Sequence, residues 1–409
     1  MTADPLSVEA AYQQVWRSAL TGSQVGTVGL ELENHVVDLG SVARPVGWQR
    51  LDPLPDNVRA AAGRNAVTWE PGGQLELSSP PHDTVVAAVT TLRADLDSVR
   101  KALVEHGIGL AQLGTDPLRP SRRRNPNPRY RAMEEHFAAV RTAAPGAILM
   151  NSTASLQVNV EAGPEHGWVQ RVAHAHRLGP ALSAISASSP WVHSRPTGWR
   201  STRQWAWFGL DLRRSGPVVQ GSAAEPALAW ARYALRAPVM FVGNGRPAAV
   251  CHDVTFEQWA AGEVRLGNRL PTADDLDLHL TTLWPPVRLR GYLELRYLDA
   301  APRRWWPAIA AVAATLMDDP VAADLAAEAT EPTGSLWTEA AHFGLADPRL
   351  FDSARRCLRI AADRAPAALS ADIHDLAELV ESRRSPGDVL AQRIAEVGPH
   401  EAFAELARP

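Results

Sequence analysis

Four short stretches of this chain alternate apolar and polar residues with period two, and their polar positions carry carboxylates and amides. They are Gly29-Leu30-Glu31-Leu32-Glu33, Gln74-Leu75-Glu76-Leu77-Ser78, Ser155-Leu156-Gln157-Val158-Asn159-Val160 and Tyr292-Leu293-Glu294-Leu295-Arg296. Successive side chains on a strand point to opposite faces. Glu31 and Glu33 therefore share one face, as do Gln74 with Glu76, Gln157 with Asn159, and Glu294 with Arg296, while the leucines and valines occupy the other. Long helical segments separate the four stretches. The expected fold is α+β, with one mainly antiparallel sheet whose apolar face is covered by helices.

Helical spacing of apolar residues predicts helices over 4–20, 83–106 (from Asp83 to the stop at Gly107), 128–143 (opening on Pro128), 164–188, 224–236, 303–317 and most of 347–382. The C-terminal part reads as almost wholly helical. Two Pro- and Arg-bearing loops, 112–129 and 190–200, have the length of lids or binding loops. Arg122-Arg123-Arg124 in the first reads as an exposed flank rather than a nucleic-acid patch, since the net charge of the chain is −4.

Composition removes several classes of function. With 409 residues and 45% hydrophobic content the chain can bury a large core. No apolar run reaches the ~18 residues of a membrane-spanning helix, and Met1-Thr2-Ala3-Asp4-Pro5 does not begin a signal peptide. A cytoplasmic protein with Cys251 and Cys357 as reduced thiols is expected. The single lysine, Lys101, lies in a helical pattern, and no Gly-x-x-x-x-Gly-Lys-[Ser/Thr] run exists, which excludes a P-loop ATPase. Any phosphate must then be held chiefly by arginine.

Carboxylates side by side on a sheet repel unless something cationic neutralises them. Glu31, Glu33, Glu76 and Glu294 on one face call for metal ions or arginine there, and oxygen ligands of this kind select Mg²⁺ or Mn²⁺ rather than zinc. No His-x-x-x-His or Cys-x-x-Cys pair competes for that role; His174 and His176 lie two apart on a helix and point apart. Within Trp69-Glu70-Pro71-Gly72-Gly73-Gln74, the two glycines fit either a turn that needs positive φ or a close approach of backbone to a phosphate or substrate.

Further stretches join these: Pro128-Arg129-Tyr130-Arg131-Ala132-Met133, Ser188-Ser189-Pro190, Arg200-Ser201-Thr202-Arg203, Ala231 to Val242, and His279 to Arg290 running into Leu293-Glu294-Leu295-Arg296. In this order, across residues 25–380, they resemble the plant-type glutamate–cysteine ligases, and within them the bacterial enzymes that supply γ-glutamylcysteine to ergothioneine biosynthesis. The resemblance implies a curved antiparallel sheet forming a funnel, similar to the catalytic domain of glutamine synthetase. It implies a reaction in which ATP phosphorylates the side-chain carboxylate of glutamate and the cysteine amine attacks the acyl phosphate. Glu31, Glu33, Glu76, Gln157 and Glu294 match metal-ligand positions for Mg²⁺ (or Mn²⁺), with Glu70 as a further candidate. Gln157 stands where other branches have histidine. Arg296 matches the arginine beside the transferred phosphoryl group, Arg203 the arginine that pairs with the α-carboxylate of glutamate, and Trp207 falls near the cysteine pocket.

Two departures accompany the resemblance. The redox-active cysteines of plant enzymes are absent, and Tyr297 replaces the Gly that follows the Glu-x-Arg step. The expected organisation is a sheet-and-helix region over 1–300 holding the metal and ATP site, with a helical region over 301–409 packed on it, the two forming one continuous domain. Expected partners are the small molecules glutamate, cysteine and ATP, with neither nucleic acid nor membrane. Two other functions fit the same motifs: a related ligase joining glutamate to another amine, and a non-catalytic nucleotide binder.

Overall fold

Strand β1 (Val28–Asp38) forms the spine of the sheet in a computed structural model of the protein, which describes residues 4–218, 225–243 and 246–408. The other strands are β2 (Ala66–Trp69), β3 (Leu75–Ser78), β4 (Ile108–Ala111), β5 (Ser155–Val160), β6 (Val287–Leu289) and β7 (Leu293–Asp299). They lie in the order β6-β7-β5-β1-β3-β2, with β4 on the far end of β1, and every pairing is antiparallel. Registers Glu33↔Glu76, Glu31↔Gln157 and Glu294↔Asn159 bring the four alternating stretches side by side with their polar positions on one face. Leu30, Leu32, Leu75, Leu77, Leu156, Val158, Leu293 and Leu295 are wholly buried on the other. Burying such a side chain stabilises the fold by roughly 1.5–3 kcal/mol, which fixes the register, because a one-residue slip would exchange the two faces.

β1 runs five residues past the alternating stretch. Val36 and Val37 are buried on opposite faces, Val37 in a satellite cluster with Phe403, so this half carries no polar face for a period-two pattern to register. In β7 the pairing with β5 shifts between Leu295 and Leu298. Arg296 and Tyr297 together oppose Gln157, which is a β-bulge. The bulge reverses the facing of every residue after it and sets Asp299 opposite Ser155. Tyr297 sends its hydroxyl to the Ala175 carbonyl and packs edge-on against Trp337.

The helices used below are α1 (Val8–Ala19), α2 (Val85–Val104), α3 (Pro128–Ala139), α4 (Ala143–Ser152), α5 (Trp168–Ser186), α6 (Thr202–Phe208), α7 (Pro226–Arg236), α8 (Trp306–Asp318), α9 (Pro320–Thr330), α10 (Pro348–Arg364), α11 (Ser370–Glu381) and α12 (Pro386–Ala407). α8 is buried along almost its whole length and packs against β5 with α5, α9, α10 and α11 around it, which explains its alanine content. The predicted ends need small corrections. α2 is capped by the Thr84 hydroxyl rather than starting at Asp83. The helix expected over 128–143 stops at Ala139, and Arg141 at φ 63° precedes a new helix. The 347–382 segment breaks at Pro366. Ala224, at the head of the 224–236 expectation, lies outside the described residues.

Residues 112–127 form neither helix nor strand, yet they are pinned throughout. Thr115 bonds to the Trp191 carbonyl (2.8 Å), Ser121 to His193 (2.7 Å), and the Arg124 and Asn125 amides to Pro71. In the second loop, Trp191–Val192 and Arg195–Pro196 pair as a small hairpin. His174 and His176 are buried and bonded to backbone carbonyls. Cys251 and Cys357 are free, the latter buried with its thiol pushed up to about 12. Among the described residues no helix is long and apolar enough to cross a membrane.

Candidate active site

The polar face of the sheet opens into a cavity of about 320 Å³. Glu31, Glu33, Glu70, Glu76, Gln157, Arg203, Trp207 and Arg296 all line it. Of the residues singled out from sequence, Glu294 alone lies beneath the lining.

Glu33, Glu70 and Glu76 form the acidic side, with one carboxylate oxygen from each within 4.8 Å of the others. Sheet pairing sets Glu33 beside Glu76, and the turn between β2 and β3 swings Glu70 over them; its ends are tied by Glu70 N–H to the Gln74 carbonyl and Gly73 N–H to the Glu70 carbonyl. Both glycines of this turn have reasons within the protein. Gly73 adopts φ 83°, and a Cβ on Gly72 would come within 2.2 Å of the Asn151 carbonyl oxygen. Burial pushes the Glu70 carboxyl well above its usual range, and Glu33 and Glu76 push it further. Glu33 and Glu76 are likewise raised, first by burial. Ser155 gives both its N–H and its hydroxyl to Glu33 at 2.8 Å, and Ser78 and Thr68 donate to Glu76. Three half-buried carboxylates with converging oxygens fit a hard divalent cation, and so does the cost of leaving their charges unneutralised.

That cost has a measurable pH dependence. In cation-free protein the raised carboxyls keep protons to a higher pH in the folded than in the unfolded chain, so stability falls as pH rises above the ordinary glutamate range of 4.5 and through the raised folded values. A bound cation removes the penalty. Mg²⁺ is therefore expected to raise the melting temperature more at about pH 8 than at about pH 5.5, by differential scanning fluorimetry. Equal Mg²⁺ stabilisation at both would place the cation elsewhere.

Arginines form the opposite side. Glu294 is 0% exposed, with both oxygens held by the Arg288 fork at 2.5 and 2.8 Å and Arg296 Nη1 at 2.9 Å. Against the upward push of burial, Arg296 and Arg288 pull its carboxyl down to about 2. The structure thus separates Glu294 from the three-carboxylate group, and a metal there would have to compete with arginine. Arg296 Nη1 also donates to Gln157 Oε1 at 2.5 Å, so the amide oxygen is engaged too. Glu31 accepts from Asn159 at 2.9 Å, on the flank of the cavity toward Tyr292, and its carboxyl is raised by burial and then by Glu294 and Glu76. Arg203, on α6, is 2% exposed. Its Nη2 donates to the Arg296 carbonyl at 2.7 Å, while Nη1 has no hydrogen-bond partner among the described residues.

An apolar wall closes the third side, built from Met133 on α3, Leu149 and Met150 on α4, Trp207 on α6, and Trp284. Trp207 lies under the Arg203 guanidinium (5.9 Å) and edge-on to Trp284 (5.8 Å). Sequence reasoning assigned no role to Arg129, Tyr130, Arg288 or Arg290, which also line the cavity. The two flanking Leu289 carried an available signal, the Arg-x-Arg alternation before β7.

A profile of glutamate-cysteine ligase family 2 matches residues 27–405. The chain belongs to that family. Its relatives include the glutamate–cysteine ligase EgtA of Mycolicibacterium smegmatis, 48% identical over 402 residues (98% of this chain, 95% of the relative). EgtA of Mycobacterium tuberculosis is 45% identical over 392 residues, with 95% and 91% covered. The chloroplastic glutamate–cysteine ligase of Arabidopsis thaliana is 31% identical over 292 residues, 69% of this chain and 55% of the plant enzyme. Among solved structures, the glutamate–cysteine ligase of Francisella tularensis in complex with AMP superimposes with a TM-score of 0.57 at 13% identity, covering 95% of this chain and 88% of that one. The family resemblance drawn from the motifs is borne out in both its bacterial and its plant branches, and the expected antiparallel sheet with covering helices is a fold shared with the Francisella ligase.

Proposed function

We propose that this family-2 ligase joins L-glutamate, through its side-chain carboxylate, to the amine of L-cysteine in an ATP-dependent reaction, giving γ-glutamylcysteine for ergothioneine biosynthesis. The observation that carries the proposal is one cavity with two complementary walls. Glu33, Glu70 and Glu76 converge on one side, and Arg203 and Arg296 line the same space from the other. The extensive identity with glutamate–cysteine ligases named EgtA supports the choice of substrates.

In this mechanism a glutamate oxygen attacks the γ-phosphorus of ATP, releasing ADP and leaving an acyl phosphate. The cysteine amine then attacks the acyl carbon, and inorganic phosphate departs. Glu33, Glu70 and Glu76, with Glu31, would hold Mg²⁺ or Mn²⁺; Gln157 and Glu294 would join them on release by arginine. The cation supplies neutralisation of phosphate oxygens. Arg203 orients glutamate by its α-carboxylate, for which a buried guanidinium is geometrically suited. Arg296 meets oxygen charge on the group in transfer. Trp207, Trp284 and the two methionines keep water from the acyl phosphate.

The test is ADP release with glutamate plus a panel of amines. ADP should appear at full rate only with both glutamate and cysteine. A higher kcat/KM with another amine would favour a related ligase with a different acceptor, and ADP release indifferent to both would overturn the assignment.

A further inference from the structure

Asp299 closes β7 and is 1% exposed. Its Oδ2 accepts from the Ser188 N–H (3.1 Å) and the Ser189 hydroxyl (2.6 Å), and its Oδ1 from the Ser201 hydroxyl (2.9 Å). Every hydrogen bond to it is donated, which favours the ionised carboxylate, while burial pushes the carboxyl up against the pull of Arg203 and these donors. The donors come from the end of α5 and the start of α6, so the carboxylate ties together the segments around Arg203. Ser189 Oγ also accepts from the Arg203 N–H at 3.3 Å, and Ser201 caps α6 through the Gln204 N–H. Space for this cradle depends on a missing side chain, since a Cβ on Gly114 would stand 2.4 Å from Asp299 Oδ2.

Arg203 Nη1 lies 3.7 Å from Asp299 Oδ1. That separation balances charge, yet it exceeds a hydrogen bond, and Nη1 stays unpartnered although buried. Nature more often lets a buried arginine consume its donors on its counter-ion, as Arg119 does with Asp116 at 2.6 Å. Resting on the assignment of Arg203 to the glutamate α-carboxylate, we propose that Asp299 is a positioning residue: anchored by Ser188, Ser189 and Ser201, it balances the charge of Arg203 from 3.7 Å and holds the guanidinium in place for the substrate carboxylate. The β7 bulge is part of the device. Without it, Asp299 would point to the leucine face, away from Arg203.

Steady-state kinetics of Asp299→Asn test this, with Arg203→Lys as reference. The amide keeps the volume but turns an N–H₂ toward hydroxyls already committed as donors. Glutamate KM should rise about tenfold with ATP KM unmoved and kcat changed less. Ser189→Ala, which keeps the charge and removes one anchor, should raise glutamate KM about threefold in the same selective way, and it carries the test if Asp299→Asn does not fold. In the double variant Asp299→Asn/Arg203→Lys the effects should not add, because both act on one contact. A merely structural Asp299 predicts a lower melting temperature with glutamate and ATP KM unaltered or altered alike, and either result overturns the proposal. If Arg203→Lys itself leaves glutamate KM unchanged, the α-carboxylate assignment fails, and this inference with it; if Arg203→Lys raises it and Asp299→Asn does not, only the inference fails.

Discussion

Alanine in place of Glu33 or Glu76 should lower turnover by at least about 100-fold, equivalent to roughly 2.7 kcal/mol of barrier. The expectation follows from convergence. The two side chains meet across the β1–β3 pair and, with Glu70, gather three oxygens within 4.8 Å. Chelation of divalent cations should abolish activity of the unmodified protein, and Mg²⁺ or Mn²⁺ should restore it. Loss of activity alone would not separate ligation from folding, so the informative partner is Glu70→Gln. Burial and two like charges make an ionised Glu70 costly in cation-free protein, and the neutral amide removes that cost. Glu70→Gln should therefore melt higher than wild type without cation at neutral pH, gain less on adding Mg²⁺, and turn over slowly, a trade of stability against function. Near-normal turnover in both alanine variants would reduce this face of the sheet to a solvated one.

The sites that sequence made legible are those where local pattern and final geometry agree. Glu31, Glu33, Glu76 and Gln157 sit on unbroken alternation, and the sheet delivers them to one cavity. Arg203 came from the family motif, since nothing in α6 marks an arginine as buried with a spare donor. Glu70 lies in a turn, where period two does not apply, and only the Gly72 and Gly73 geometry shows why it folds back over its neighbours. Asp299 was hidden for the opposite reason. Its parity in β7 assigns it to the leucine face, and a bulge between Leu295 and Leu298 reverses it. Glu294 had the right face but not the right depth: alternation says which way a carboxylate points, while its enclosure by Arg288, Arg290 and Arg296 depends on a neighbouring strand. Strands β2 and β4 carry no alternating signature, being short and partly exposed or buried on both faces, and β6 alternates over only three residues, Val287 to Leu289.

Arg296 offers the sharpest test of the acyl-phosphate route. It spans Glu294 Oε2 and Gln157 Oε1, with Nε buried and without a hydrogen-bond partner among the described residues. Arg296 lines the cavity, where its charge acts most strongly on oxygen charge that develops during transfer. A sulfoximine analogue of the acyl-transfer state, phosphorylated in place, acquires contacts made only at that stage and should outbind glutamate by about 100-fold or more. Inhibition of wild type should be slow, tight and dependent on ATP. Arg296→Ala should lose most of this potency, by about 100-fold, while its affinity for ATP in the ground state changes by less than about fivefold. The measurement is inhibitor potency with and without ATP in both proteins, alongside ATP binding by calorimetry. Fast, weak inhibition indifferent to ATP would exclude phosphorylation of the glutamate side chain. Equal losses of ATP affinity and inhibitor potency would instead make Arg296 a plain phosphate anchor, because a residue that binds ground state and transition state alike contributes nothing to the chemical step.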